Sequence, residues 1–297
     1  MTEPTTYTLE VPGALLTYDV RQSDSSTAPI LVLIGSPMGA GGFGTLAGHF
    51  NDRTVVTYDP RGVERSKKYD DTTESTPDQH ADDLHRLISK LGAGPIDMFA
   101  SSGGAMNALA LVAKHPEQVR NLVAHEPPAA QVLPDRELAL AACVDIHETY
   151  LRAGMGPAMA KFIAIVSYDG PIGPDYASSP APDPRMFGLP TQDDGSRNDP
   201  LLMQNMVSCT HYQLDFKTLK SVSTRIVIAA GAEGAGTLAN RAAVAVAARL
   251  GKTAVTFPGN HGGFLGGEYG QQGDPDAFAA TLRQVLSTAD SPSTARV

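Results

Sequence analysis

Two serines and two glycines stand together in FASSGGAMNALAL, residues 99–111, where an apolar run gives way to a helical one. A serine hydroxyl acts as a nucleophile when a base stands beside it and the backbone holds it clear of its neighbours. A sharp strand-to-helix turn supplies the second condition, provided the residues two before and two after the serine are small. Around Ser102 those positions are Ala100 and Gly104; around Ser101 they are Phe99 and Gly103, and Phe99 would collide. Ser102 is therefore the expected nucleophile, in a G-x-S-x-G pattern with alanine for the first glycine. Gly103 follows at the amino end of the helix, where an orphan N–H and the helix dipole suit a developing oxyanion. The plainer alternative is a loop with an N-capping serine.

The base is expected to be His261 in FPGNHGGF, whose flanking glycines free the ring to approach the serine. His80 and His85 fall on a polar helix, His115 at a helix end, and His49, His147 and His211 singly in helical surroundings, all read as packed or surface residues. His125 keeps some claim because it precedes Glu126 at a strand end.

Several elements must bring these residues together. Short aliphatic runs closed by glycine, proline or aspartate predict strands at 29–35, 54–60, 96–100, 121–127 and 224–231, with another at 253–257. Helical periodicity predicts helices at 77–91 and 104–116 between them, and at 238–250 and 275–287 towards the end. Strand and helix alternate, so the fold class is α/β, a mostly parallel sheet with helices on both faces and its chemistry at the carboxyl ends of the strands. Residues 128–222 break the rhythm with helices at 135–153, 155–167 and 200–216 around a proline- and glycine-rich loop, and read as an inserted helical cap. The expected core is thus 1–127 with 223–287, followed by a small, polar tail, 288–297, expected to be disordered.

The 297 residues carry a net charge of −9, which argues against nucleic acid or an anionic membrane as partner and favours a small neutral molecule. No apolar stretch approaches a membrane span and the first residues lack the pattern of a signal peptide, so a cytoplasmic protein is expected. Cys143 and Cys209 read as buried fillers; no metal spacing and no cofactor motif is found.

Taken with LIGSPMG, YDPRGVERS and AHEPP, the ASSGGA elbow and FPGNHGGF make the chain resemble the α/β-hydrolase superfamily over about residues 10–287. The resemblance implies an α/β-hydrolase fold and a third triad member, a carboxylate. Most members place it after the strand at 225–230, but the matching position here is Gly234, with Glu233 beside it. Haloalkane dehalogenases and zearalenone-type lactonases carry a glutamate at the end of the earlier strand, which favours Glu126, 24 residues after Ser102. The resemblance also implies a second oxyanion donor at Ser36, in Gly35-Ser36-Pro37, and a loop-tying salt bridge at Arg61. The glycine-rich stretch after it lacks the lysine of a phosphate-binding loop and reads as a pocket wall, with Met38 and Phe43 facing substrate. Tyr150, Met155, Met159, Phe162, Met186, Phe187, Met203 and Met206 read mostly as cap core, a subset lining the pocket.

The expected function is a serine hydrolase acting on an ester or lactone of an apolar small molecule. A slow-turnover ligand receptor on the same fold, or a non-hydrolytic enzyme such as a cyclase, a carbon–carbon hydrolase or a cofactor-free oxygenase, are the alternatives.

Overall fold

A computed structural model describes residues 3–23 and 26–288; the tail expected to be disordered lies, past Thr288, outside them. The chain enters through an antiparallel hairpin, β1 (Thr5–Val11) and β2 (Ala14–Arg21). Then come β3 (Leu31–Ile34), α1 (Gly44–Gly48), β4 (Val55–Asp59) and β5 (Lys67–Lys68), followed by α2 (Pro77–Leu91), β6 (Ile96–Ser101), α3 (Gly103–Lys114) and β7 (Val119–His125). Five helices follow: α4 (Arg136–Ala153), α5 (Met155–Val166), α6 (Pro174–Ser178), α7 (Met206–Thr210) and α8 (Phe216–Leu219). The chain then returns to the sheet as β8 (Arg225–Gly231), α9 (Leu238–Arg249), β9 (Val255–Phe257) and α10 (Pro275–Ser287).

Among the described residues nine strands form one sheet, ordered β1-β2-β4-β3-β6-β7-β8-β9 with β5 on β2. From β4 to β9 all neighbours are parallel. Helices cover both faces, so β3 and β6 are buried throughout, as their unbroken apolar runs require. One face packs Leu84 and Leu87 of α2, Leu109 of α3 and Val246 of α9 in a single cluster; the other packs Leu46 of α1 and Phe278 and Leu282 of α10.

Helix α2 shows how directly sequence sets an element. Thr76 accepts from the Gln79 N–H while the Gln79 side chain bonds back, Pro77 fills the first turn, and Gly92 ends the helix at φ 63°. The hairpin, by contrast, has no clear signature, because β1 lies at the sheet edge with most of its residues exposed. The predicted helix 200–216 is also corrected. Pro200–Asn205 is a wide π turn, α7 is short, and Asp215 starts a new helix by accepting from the Thr218 N–H.

Among the described residues only helices and loops lie between β7 and β8. They build an apolar core around Cys143, Ile146, Tyr150, Leu202 and Met206, closed against α9 by Leu238 and Ala242. Met155, Met159, Phe162 and Met203 pack against it, whereas Met186 and Phe187 are exposed. Cys143 and Cys209 are buried free thiols.

Candidate active site

Strand β6 ends at Ser101 and α3 begins at Gly103, so Ser102 alone makes the turn, at φ 56° and ψ −127°. A non-glycine residue there costs about 1–3 kcal/mol, so the surroundings must impose it. The Ser102 N–H donates to the His125 carbonyl at 2.9 Å, and its carbonyl accepts from the Ala105 N–H at 2.9 Å. A Cβ on Gly103 would lie 2.5 Å from the Ser36 carbonyl oxygen, and one on Gly104 2.8 Å from the Gly35 Cα. No side chain fits at either position, which is the physical reason for the glycine pair. Ser101, by contrast, is buried on the strand with its hydroxyl 3.3 Å from His125 Nδ1.

Strands β6 and β7 are parallel, with Ser101 opposite His125, so the next residues, Ser102 and Glu126, emerge side by side beyond the sheet. Glu126 is also left-handed, at φ 47°, and fully buried. A buried carboxylate needs partners. Oε1 accepts from the Gly231 N–H at 2.9 Å and from Asn240 Nδ2 at 3.1 Å, and Oε2 lies 2.6 Å from His261 Nδ1. Burial pushes the Glu126 carboxyl up, but the His261 hydrogen bond, the nearby imidazoles and the Gly231 N–H outweigh it, and its pKa is lowered to about 2. A carboxylate only accepts, so at this contact Nδ1 of His261 is the donor. His261 itself is half exposed, on the loop after β9.

The structure thus brings Glu126 and His261 into contact and sets Glu126 beside Ser102. Among the described residues, Ser102 Oγ makes no hydrogen bond to His261; such bonds are often long in sites without substrate. Ser36 and Gly103 are neighbours, with the Ser36 carbonyl and Cβ lying against Gly103. The Ser36 hydroxyl is 3.5 Å from Asn205 Oδ1, at the far limit of a hydrogen bond.

Glu233 is exposed, and its backbone N–H is held by the Gly259 carbonyl. A Cβ on Gly234 would stand 3.3 Å from Glu126 Oε1. Where most of the superfamily is expected to carry its acid, this chain has a glycine pressed against the Glu126 carboxylate. Arg61 is buried, bidentate to Asp83 at 2.7 and 2.8 Å and joined to Asp70 at 3.1 Å, the loop tie expected of it.

Phe43 is a correction: it has no exposed surface, stacks on Phe264 with centroids 5.4 Å apart and meets Phe99 edge-on. It supports the loop from beneath and cannot face substrate. Met38 is half-buried and leans over Gly42. His125 is fully buried among Phe99, Phe257, Phe264 and Phe278, with Nε2 unpartnered; burial lowers its pKa to about 4 and keeps it neutral. Asn240, the second anchor of Glu126, has only a faint sequence signal, an asparagine in an alanine-rich helix.

The fold and this site define a class. The α/β hydrolase fold family matches residues 28–160, and a hydrolase relative above 30% identity covers most of the chain, so the chain belongs to that family. That relative, the uncharacterized hydrolase YraK of Bacillus subtilis, is 34% identical over 263 residues, covering 86% of this chain and 89% of its own. Among solved structures, an enol-lactonase from Burkholderia xenovorans aligns over 95% of this chain and 100% of its own, with TM-score 0.64 and 18% identity. A thermophilic esterase from Thermogutta terrifontis covers 98% and 100%, with TM-score 0.66 and 18% identity. At that identity the two structures speak for the fold alone.

Proposed function

We propose that this chain is a serine hydrolase that cleaves an ester or lactone of an apolar small molecule through an acyl-serine intermediate. The observation that carries the reading is the Glu126–His261 pair at 2.6 Å, standing beside a strained serine turn. In this reading His261 Nε2 takes the Ser102 proton as Oγ attacks the carbonyl carbon. The tetrahedral oxyanion is received by the Gly103 and Ser36 N–H groups, and Glu126 stabilises the imidazolium. Collapse expels the alkoxide, protonated by His261; water then attacks the acyl-serine with His261 as base, releasing the acid and restoring Ser102. In a lactone the expelled alkoxide stays tethered and leaves with the acid as a hydroxy acid. The neighbouring enol-lactonase and esterase structures are consistent with acyl chemistry on this fold. The partly buried methionines of the helical insertion and the net charge of −9 favour an apolar, non-anionic substrate.

A fluorophosphonate probe should label the wild-type chain and not Ser102→Ala, and short p-nitrophenyl esters should turn over beyond the first burst. Glu126→Gln should lower kcat by about 10³–10⁴-fold, whereas Glu233→Gln should stay within about twofold. Equal labelling of Ser102→Ala removes the nucleophile, the reverse order of the two glutamine variants removes the acid, and a burst with negligible turnover points to a receptor.

A further inference from the structure

Four non-glycine residues among those described have a left-handed backbone, and they fall into two pairs. Ser102 and Glu126 belong to the site above. Glu64, at φ 47°, and Tyr269, at φ 54°, lie on loops 205 residues apart, and the Tyr269 hydroxyl donates to Glu64 Oε1 at 2.8 Å. We propose that Glu64 and Tyr269 form a latch that positions the His261 loop against the loop carrying the Ser36 oxyanion donor. This role rests on the serine-hydrolase reading.

Both backbones are held in place from their flanks. Beside Glu64, the Arg65 N–H and Nε both donate to the buried Asp59 carboxylate, at 3.2 and 2.6 Å, and the Ser66 N–H donates to the Val63 carbonyl. Around Tyr269, the Gly270 N–H donates to the Gly267 carbonyl and the Gln271 N–H to the Glu268 carbonyl. The Glu268 carboxylate takes the Gly266 N–H at 2.6 Å and, across the gap, the Thr45 N–H at 2.8 Å. The loop after β3 runs beneath the pair. A Cβ on Gly39 would meet the Glu64 carboxyl carbon at 2.7 Å, and one on Gly42 would meet the Tyr269 ring at 3.1 Å. The same Asp59 that fixes Arg65 accepts the Ala40 N–H at 2.8 Å.

Stability does not account for this arrangement. Glu64 is exposed and Tyr269 is 57% exposed, so their hydrogen bond is one that water can replace at little cost. Each left-handed residue is strained, and strain of this kind collects where geometry serves a site. What the bond does is join the loop that follows β9, with His261 on it, to the loop that follows β4, and so close both over the loop that follows β3, with Ser36 on it. In this role it holds the His261 loop over the Ser36 loop without touching Ser102, Glu126 or His261.

The test compares kcat, KM, the fluorophosphonate labelling rate and Tm in Tyr269→Phe, Glu64→Ala, their double variant, Glu64→Gln and Glu64→Gly. Tyr269→Phe and Glu64→Ala should each lower kcat and the labelling rate about tenfold with KM little changed, and the double variant should be no worse than either. Glu64→Gln keeps an acceptor and should restore most of the rate. Glu64→Gly relieves the backbone and should raise Tm by a few degrees while kcat still falls. Wild-type kcat in Tyr269→Phe, additive losses in the double variant, or a fall in Tm matching the fall in kcat for Glu64→Gly would each overturn the latch. If the wild-type chain is not labelled at Ser102, the hydrolase reading itself fails and the latch fails with it. Labelled wild type with unaffected variants removes the latch alone.

Discussion

At the scale of single residues, the carboxylate is the instructive case. Its identity could be weighed in the sequence because Gly234 stands at the position expected of the acid and Glu126 ends a strand 24 residues after Ser102. What the sequence could not show is that the two positions share one space, with a Gly234 Cβ only 3.3 Å from Glu126 Oε1. That proximity makes a transplant testable. Adding Gly234→Asp to Glu126→Gln should recover about tenfold of the lost kcat, because the new carboxylate enters the region the old one occupied. Kinetics of the single and double variants decide it; no recovery would mean that a side chain at 234 cannot reach His261. Phe43 shows the opposite limit. A phenylalanine among glycines reads as a pocket wall, but only the packing of Phe99 and Phe264 around it reveals a core residue.

At the scale of elements, legibility followed burial. Strands covered on both faces and helices with a cap at each end leave strong local signals, and the α2 boundaries could be read directly from Thr76 to Gly92. The edge hairpin and the π turn could not, the first because its outer strand is mostly exposed and the second because it depends on partners far along the chain. The Ser75 N–H, for instance, donates to the Gln204 carbonyl at 2.9 Å, and His80 Nε2 lies 2.8 Å from Asn205 Oδ1. Helix α9 reaches the site through Asn240, whose amide bridges Glu126 Oε1 and the Gly231 carbonyl. Asn240→Leu should therefore lower kcat about tenfold and cost about 1–3 kcal/mol in urea unfolding, because it leaves a buried carboxylate oxygen and a buried carbonyl short of a donor. A loss of stability with kcat intact would make Asn240 a packing residue only.

At the scale of the whole molecule, buried ionisable groups set the acid limit. Burial lowers the pKa of both His80 and His125 to about 4 from the ordinary 6.5. Between those values the unfolded chain binds two protons that the native chain does not, so stability falls as pH drops from about 6.5 towards about 4. Glu126 acts lower: lowered to about 2 from 4.5, it stabilises the native state above about pH 4.5, and this contribution is lost as pH falls towards 2. Urea unfolding at pH 7 and pH 5 should differ by about 2 kcal/mol for each histidine. His125→Phe should remove one such share; an unchanged difference would show that His125 does not take up a proton on unfolding.

The β6–α3–β7 unit has a consequence for how the protein is made. Ser102 and Glu126 come from one short stretch in which β6 pairs with β7, whereas the anchors of Glu126 at Gly231 and Asn240 lie more than a hundred residues on and His261 is 135 residues beyond it. Contacts close in sequence form before distant ones. In the serine-hydrolase reading, a chain emerging from the ribosome therefore has its serine turn long before it has either the anchors of its carboxylate or its base, and the hydroxyl stays inert until the last strand and helix dock.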